Sequence, residues 1–282
     1  MKRIFLIIFT SVNMHALQEA AAQSLEAYEQ WLQQFEGVRC EKSATMTFWH
    51  SPIKDLALNI VTRSSSYYEE KDILDAVALV TSYAKENKTQ VSWITGKNDN
   101  PYLIKCLQLY DFERLPLALM AHPLQKLPEF YSDQIKCISL DEIPGWLNAF
   151  NESFGEESPE FTKALKSVLK RDLESPDSEV YTKHYAGYLN NKLVTTGSLY
   201  ITPRYAEISN IGTIKQARNM GMATIMIGAL LHHAKKLNAP HVILTAAQEA
   251  QSIYTKAGFI YVAESDRYIL DATTSNGSCV CS

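Results

Sequence analysis

The chain has 282 residues, of which 46% are apolar and 21% are charged, and its formal net charge is −4. Because a single core rarely grows to this size, we expect about two domains. The acidic balance argues against a nucleic-acid-binding protein, although it is compatible with a local basic pocket for a phosphorylated cofactor. The cysteines are sparse and odd in number, and none has metal-ligand spacing with histidine, which indicates a reducing compartment rather than a disulfide framework.

The N-terminal segment "MKRIFLIIFTSVNMHA" admits two interpretations. Its two basic residues, its apolar run Ile4–Phe9 and its small residue Ala16 resemble a secretory signal peptide. The run is too short to span a membrane. The alternative is a buried first strand or helix that leads into an amphipathic segment, and we favour it because the cofactor inferred below requires the cytosol.

Periodicity predicts alternating helices and strands in the first half of the chain. The predicted helices are His15–Phe35, Lys71–Asn87 and Asn100–Phe112, and the predicted strands are 44–51, 56–64, Gln90–Gly96 and Arg114–Leu124. The polar segment Gln125–Gln134, which contains Pro128, is typical of a linker.

The second half repeats this order of elements. Helices are predicted at 139–155, 158–175, Thr224–Lys236 and Glu249–Phe259, and strands at Ala206–Ile214, His241–Ala247 and Tyr261–Leu270, after a hairpin over Val180–Thr202 that turns at Asn190 and Asn191. The segment "LIKCLQLYDF" of the first half aligns with "AQSIYTKAGF" of the second. This weak repeat predicts tandem α/β modules at 1–127 and 128–270, followed by a flexible tail at 271–282.

The hexamer "RNMGMA", from Arg218 to Ala223, has the properties of a phosphate cradle. Gly221 lets the backbone approach a ligand closely, and Ala223 is nearly as small. The following helix offers free N–H groups and the positive end of its dipole, to which Arg218 adds a full charge. The hexamer is neither a Walker loop nor a Gly-x-Gly-x-x-Gly turn. Taken alone, it is also compatible with an ordinary strand-to-helix turn.

A second motif at the expected distance makes the pattern more specific. The pair of motifs is Arg218-x-x-Gly221-x-Ala223 and Ala250-x-x-Ile253-Tyr254-x-x-x-Gly258-Phe259. It resembles the GCN5-related N-acetyltransferase (GNAT) superfamily, over Ile135–Leu270 in element order and over Ala206–Phe259 in motif. The resemblance implies an α/β fold with two tandem GNAT-like domains, each a twisted mixed β-sheet flanked by helices. It also implies that central strands splay apart around acetyl-CoA as acyl donor, without a metal.

The resemblance assigns the cofactor-binding residues. It places the pantetheine arm on the backbone of Ile211, Gly212, Thr213 and Ile214, and the pyrophosphate on the N–H groups of Arg218, Asn219, Met220, Gly221, Met222, Ala223 and Thr224. Relatives often carry an Asn seven residues before the tyrosine. Here that position is Ala247, so the hydrogen bond to the cofactor is either missing or supplied by Gln248.

Acetylation of an amine needs a base for the amine, a polarised carbonyl and a proton for the departing thiolate. Tyr254 stands where the family often has a general acid, and the alternative is that it only packs. Backbone N–H groups near Ile211 or Gly212 would polarise the carbonyl. Glu207 is the candidate base, and the alternative is a solvated carboxylate at a strand end.

Three histidines compete with Glu207 for the role of base. They are His184, His232 and His233. The last two lie well inside the predicted cofactor helix, where surface or packing roles are more typical.

The first half of the chain lacks the phosphate turn, the tyrosine and the glycine of these motifs. Glu69 and Glu70 occupy the place of the phosphate turn and would repel an anion, Leu107 replaces the tyrosine, and Asp111 replaces the glycine. We therefore predict a degenerate module that shapes the acceptor site or binds a partner.

The tail ends in Cys279-Val280-Cys281-Ser282, which fits the Cys-a-a-X prenylation pattern, although Cys281 satisfies the second "a" only loosely. Lipidation of Cys279 would give weak membrane association, because no polybasic stretch precedes it. The alternative is two incidental cysteines.

The sequence as a whole predicts a cytoplasmic N-acetyltransferase that acts through its C-terminal domain. The acceptor would be an amine of a small molecule, of a protein lysine or of a protein N-terminus, and not a nucleic acid. The acidic balance favours a cationic acceptor. The alternative is a catalytically silent protein that retains the fold as an acyl-CoA-binding or protein-interaction scaffold.

Overall fold

A computed structural model describes residues 19–64, 69–96, 99–125, 127, 132–155, 158–174 and 180–273. The predictions for the N-terminal apolar run and for Cys279 lie outside these residues. The helices are α1 (19–32), α2 (Glu70–Asn87), α3 (Pro101–Leu109), α4 (Ile143–Phe154), α5 (Pro159–Glu174), α6 (Met222–Lys236) and α7 (Gln251–Lys256). Within the described ranges, no helix combines the length and the apolar character that a bilayer crossing requires.

The chain also forms a series of strands. They are β1 (Arg39–Lys42), β2 (Met46–His50), β3 (Ile60–Ser64), β4 (Gln90–Gly96), β5 (Glu113–Leu115), β6 (Leu117–His122), β7 (Ile135–Cys137), β8 (Tyr181–Leu189), β9 (Lys192–Ile201), β10 (Ala206–Thr213), β11 (Val242–Ala247) and β12 (Ile260–Asp271). The mixed α/β class is confirmed. Strands β1 and β7 were not predicted, and the predicted strand Arg114–Leu124 is divided into β5 and β6.

Local signals in the sequence explain several of these ends. Asn190 and Asn191 have φ values of 51° and 62°, as a two-residue hairpin turn of type I′ requires, and they join β8 to β9. The side chain of Asn100 accepts a hydrogen bond from the N–H of Tyr102 at 2.9 Å and so caps α3. These polar residues therefore fix the element boundaries locally.

Packing divides the chain into two compact units. Of the described residues, those within 1–30 and 118–263 form unit 1, and those within 31–117 and 264–282 form unit 2. This grouping differs from the predicted boundaries at 127/128 and 270/271, because most of α1 and β6 fall in unit 1 and the end of β12 falls in unit 2. The units reflect packing rather than repetition along the chain, so the predicted module boundaries stay a prediction.

Unit 2 has a sheet in the order β1-β2-β3-β4-β12, and β5 also pairs with β12. The β3–β4 pair is parallel, whereas β12 runs antiparallel to β4 from Ser265 opposite Gly96 to Asp271 opposite Gln90. Its core contains Val77, Trp93 and Leu107, all 1% exposed or less.

Unit 1 has a sheet in the order β6-β11-β10-β9-β8-β7. Successive residues of β8 show which helices cover it: Tyr185 contacts His233 of α6, whereas His184 contacts Asp172 of α5. Because successive side chains of a strand point to opposite faces, α5 and α6 lie on opposite faces of the sheet.

Candidate acetyl-donor and acceptor site

Strands β10 and β11 of unit 1 begin as a parallel pair and then part. Their register comprises Ala206 opposite Val242 and Glu207 opposite Ile243, although β10 continues to Thr213 and β11 to Ala247. A strand that leaves its partner exposes backbone N–H and C=O groups that need other partners. The parting therefore creates an opening in which an extended ligand can pair with backbone.

A β-bulge in β10 lies just beyond the point where the strands part. Ser209 is opposite Ser198 and Gly212 is opposite Thr196, so Asn210 and Ile211 together face a single residue of β9. Asn210 has φ 57°, in the left-handed region. Bulges bend their strand and are common beside active sites, and this one bends β10 where the opening begins.

The turn predicted to bind phosphate enters α6 through Gly221, which has φ 80° and ψ −3°. A side chain is disfavoured at that φ, and a Cβ here would meet no atom within 4 Å, so the turn is open on the outside. No side chain caps the helix, and the first intrahelical bond runs from the N–H of Ile225 to the carbonyl of Gly221 at 3.0 Å. The N–H groups of the first turn are thus available to an anion.

The other predicted phosphate ligands lie around this turn. Arg218, Asn219, Met220, Gly221 and Thr224 are exposed, Ala223 is half-buried and Met222 is buried. Helix α6 begins at Met222, two residues before the predicted start, so Met222 and Ala223 contribute N–H groups to its first turn.

Arg218 holds the turn against the neighbouring elements. Its Nε donates to the carbonyl of Thr213 and its Nη2 donates to the carbonyl of Ser153, both at 3.1 Å. The N–H of Ile214 donates to the carbonyl of Val194 at 3.0 Å. The carbonyl of Gly212 accepts a hydrogen bond from the hydroxyl of Thr195 at 2.6 Å. Three of the four residues predicted to pair with pantetheine, Gly212, Thr213 and Ile214, therefore each have a backbone group that already has a protein partner.

Gly212 has a packing role that the sequence did not indicate. A Cβ on this residue would lie 2.7 Å from Cβ of Ser153 and 2.8 Å from the ring of Phe154, both in α4. The absence of a side chain lets α4 lie directly on β10 and keeps the end of this helix beside the opening.

Glu207 is half-buried on β10. Its Oε2 is buried and has no hydrogen-bond partner among the described residues. Burial raises the pKa of this carboxyl to about 8, and a hydrogen bond from Ser24 opposes the rise. A carboxyl with this pKa takes up and releases protons near neutral pH, as a general base requires.

Ser24 brings the N-terminal helix α1 to the site. Its hydroxyl lies 3.5 Å from that of Thr245 in β11, so it stands beside both parting strands. The sequence assigned this helix to the first module, and no local motif links Ser24 to Glu207, 183 positions later in the chain.

Tyr254 is 7% exposed, and its ring packs edge-on against Phe259 with centroids 5.7 Å apart. Burial raises the pKa of its phenol to about 12, which keeps the hydroxyl protonated at neutral pH. Within the described part of the chain, the hydroxyl has no hydrogen bond, so its proton is not committed to another side chain. The residue thus packs and also retains a donor.

The sequence of residues 143–259 matches the Acetyltransferase (GNAT) family. These residues form a GNAT domain. Its limits include the opening between β10 and β11, the turn at Gly221, and both Glu207 and Tyr254. No curated protein matches the chain.

Solved structures with the same fold extend the likeness over most of the chain. A GCN5-related N-acetyltransferase from Kribbella flavida has a TM-score of 0.63 and 15% identity, and the match covers 88% of this chain and 94% of that one. A conserved protein of unknown function from Staphylococcus epidermidis has a TM-score of 0.62 and 15% identity, over 84% and 95%. A tandem GNAT protein from the clavulanic acid biosynthesis pathway has a TM-score of 0.57 and 10% identity, over 89% and 96%. At these identities the likeness concerns the fold alone, and it supports a tandem GNAT fold.

The three competing histidines of the GNAT domain have partners elsewhere. His233 contacts the hydroxyl of Tyr185, and its pKa is lowered by burial and by Lys183 and Lys236. His232 contacts the carbonyl of Gly228 one turn earlier in α6. His184 is buried between the side chains of Asp172 and Ser198 and contacts both. The prediction of Glu207 as the base stays a prediction, and none of these contacts of the three histidines includes Glu207.

Proposed function

We propose that the chain is an N-acetyltransferase that moves the acetyl group of acetyl-CoA to an amine through its GNAT domain. One observation carries the proposal: β10 and β11 part after Glu207 and Ile243, next to a helix N-terminus whose turn is open. The fold supports acyl transfer in general. The opening, the turn and the two ionisable side chains support the specific reaction.

The donor would lie along β10 with its pyrophosphate at the first turn of α6. The exposed N–H groups of the turn at Gly221 and the helix dipole favour a negative charge, and Arg218 supplies a positive one. With the carbonyls of Gly212 and Thr213 and the N–H of Ile214 already engaged, we expect Ile211 to make the main backbone contact with pantetheine.

Glu207 and Tyr254 would divide the proton chemistry between them. The donor supplies an acetyl thioester. A cationic amine first releases one proton to solvent and becomes the neutral nucleophile. Glu207 then takes the proton that the neutral amine loses as its nitrogen bonds to the acetyl carbon, and Tyr254 gives a proton to the sulfur as the carbon–sulfur bond breaks. Their pKa values, about 8 and about 12, leave one group able to accept and the other able to donate.

The acceptor class rests on charge and on the buried carboxyl. A buried carboxylate without a second partner favours a ligand that carries a cation or an N–H group. We therefore propose a cationic amine, of a small molecule, of a protein lysine or of an N-terminus. A cytoplasmic location, a lipidated Cys279 and a partner-binding role for the first module stay predictions from the sequence.

The substitution Tyr254→Phe tests the reaction, because it removes the donor and keeps the ring. We expect kcat to fall by about a hundredfold or more, while the affinity for acetyl-CoA changes little. Tyr268→Phe, at another buried tyrosine, is the matched control and should leave kcat unchanged. Unchanged kcat in Tyr254→Phe would remove the acid role. Acetyl-CoA binding by the wild type without transfer to any amine of a broad panel would favour the scaffold.

A further inference from the structure

Four polar side chains of the GNAT domain form an unbroken series that ends in the bulge of β10. His184 Nε2 lies 3.0 Å from Oδ2 of Asp172, and His184 Nδ1 lies 2.8 Å from Oγ of Ser198. Asn210 Nδ2 donates to the same Oγ at 3.0 Å. We call this series the Asp172–Asn210 relay. It connects α5, β8, β9 and β10, and it belongs to neither the phosphate turn nor the proton chemistry.

When His184 is neutral, the donors and acceptors of the relay fit a single arrangement. The carboxylate of Asp172 can only accept, so His184 donates from Nε2 and accepts at Nδ1. Ser198 then donates its hydroxyl proton to His184 and accepts from the amide of Asn210. Ser198 is fully buried and His184 is 4% exposed, so each of these bonds is costly to break. Because Ser198 is sealed from solvent, the order Ser–His–Asp does not make it a nucleophile here.

Asn210 is where the relay affects the site. It is the bulged residue with φ 57°, and its carbonyl also accepts a hydrogen bond from Thr196 at 2.9 Å. The bulge shifts the alternation of β10 by one residue: Ile208 and Ile211 pack on the α6 side, whereas Asn210 reaches Ser198 on the opposite side. Holding the side chain of Asn210 therefore holds the backbone of Ile211 and Gly212.

We propose that Asp172, His184 and Ser198 are positioning residues, which fix Asn210 and thereby keep the bulge in the form that receives the acyl donor. This inference rests on the proposed function for the identity of that donor. The competing explanation is that the left-handed backbone of Asn210 and the hydrogen bond from Thr196 suffice, and that the relay only stabilises the fold.

Asn210→Gly separates the two explanations, since glycine adopts the same φ but lacks the amide. Asn191→Gly is the matched control, because Asn191 also has a positive φ, of 62°, and lies in an exposed hairpin turn. We expect Asn210→Gly to weaken acetyl-CoA binding, measured by calorimetry, by about five- to tenfold, whereas Asn191→Gly binds as the wild type does. In the ligand-free protein, amide hydrogen exchange of residues 206–214 should be faster only in Asn210→Gly.

Two variants of His184 locate the effect within the relay. Asn places its amide near the position of Nδ1 and can keep the contact with Ser198, whereas Gln reaches toward Asp172 instead. We expect His184→Asn to retain more acetyl-CoA affinity than His184→Gln at comparable thermal stability. If Asn210→Gly and the wild type have the same acetyl-CoA affinity and the same amide hydrogen exchange rates, the proposed positioning role of the relay is wrong. If the wild type does not bind acetyl-CoA, the proposed function fails, and the exchange rates alone decide for or against the relay.

Discussion

The two units contain the same strand–helix–strand frame with different chemistry. In unit 1, β10 leads through α6 to β11, and in unit 2, β3 leads through α2 to β4. Each pair of strands is parallel and registers at two positions, and each first strand has a register shift against its antiparallel neighbour. The frame alone therefore does not distinguish a unit that binds a donor from one that does not.

The side chains and the helix starts make the difference. Helix α2 is preceded by Glu69 and has Glu70 and Asp72 in its first turn, whereas α6 follows Gly221 and has no acidic residue there. Acidic residues stabilise the start of a helix by taking the place that a bound anion would take. The unit 2 frame thus places its own negative charges at the helix start, and the unit 1 frame leaves this position for a ligand.

The later part of each frame shows the same contrast. Asp111 and Gly258 both have positive φ, of 64° and 97°, and each precedes a buried phenylalanine. Leu107, fully buried in the core of unit 2, stands where unit 1 has Tyr254. Unit 2 therefore has the same backbone turn as unit 1, but an apolar leucine stands at the position of the tyrosine.

Glu207→Gln should have the largest effect. It removes from unit 1 a carboxyl that the parallel strand pair of unit 2 lacks at the equivalent position. We expect kcat/KM for the amine to fall by roughly a hundredfold or more. In the wild type, kcat/KM should rise with pH through about 8 as the base loses its proton, and Glu207→Gln should lose that rise. A pH–rate profile with the same ascending limb in both proteins would exclude Glu207 as the base.

Although it should lose activity, Glu207→Gln should gain stability relative to the wild type at high pH. The pKa of Glu207 is higher in the folded than in the unfolded chain, so its contribution to stability is complete below pH 4.5 and is lost as the pH rises through about 8. Glu207→Gln has no charge to bury. Relative to the wild type, it should therefore be more stable at pH 9 than at pH 5 in urea titrations. A stability difference independent of pH would contradict the raised pKa.

Gly221→Ala tests the turn, and we expect it to weaken acetyl-CoA binding by about tenfold. The left-handed φ of 80° costs alanine roughly 1–2 kcal/mol, and the added methyl group stands where the anion would approach. Gly37→Ala is the matched control in unit 2, with φ 81° and only ordinary contacts for a Cβ. Both variants should lose similar unfolding free energy, and only Gly221→Ala should lose affinity in calorimetry. Equal affinities would show that the turn does not bind the donor.

The sequence predicted the parts of the site that lie close together along the chain. The turn at Gly221 and the position of Tyr254 are local motifs, and the asparagine pair between β8 and β9 is a local turn signal. Ser24 and the Asp172–Asn210 relay could not be predicted, because their contacts join distant segments and their residue types are common. The sequence also does not indicate that β12 residues pack in unit 2, because the apolar alternation of this strand fits either sheet.

Ser24→Ala should have a smaller effect than either change above. The hydrogen bond from Ser24 lowers the pKa of Glu207, so its loss should move the ascending limb of the pH–rate profile to higher pH. At neutral pH we expect roughly a few-fold loss of kcat/KM, because less of the base is ionised. Ser24→Thr keeps the hydroxyl and serves as the control. A limb that stays in place in Ser24→Ala would show that α1 does not tune the base.

The smallest effect is expected in unit 2, where charge alone is changed. Glu69→Gln with Glu70→Gln removes two negative charges from the start of α2. It supplies neither an open glycine turn nor a residue like Arg218, so calorimetry should still find one acetyl-CoA per chain, with the affinity changed by less than about twofold. Arg218→Glu is the reciprocal variant and should abolish binding at that one site. A second equivalent of acetyl-CoA in the double variant would mean that repulsion by Glu69 and Glu70 alone keeps unit 2 empty. The frame would then be sufficient for binding, and the difference between the units would be electrostatic rather than structural.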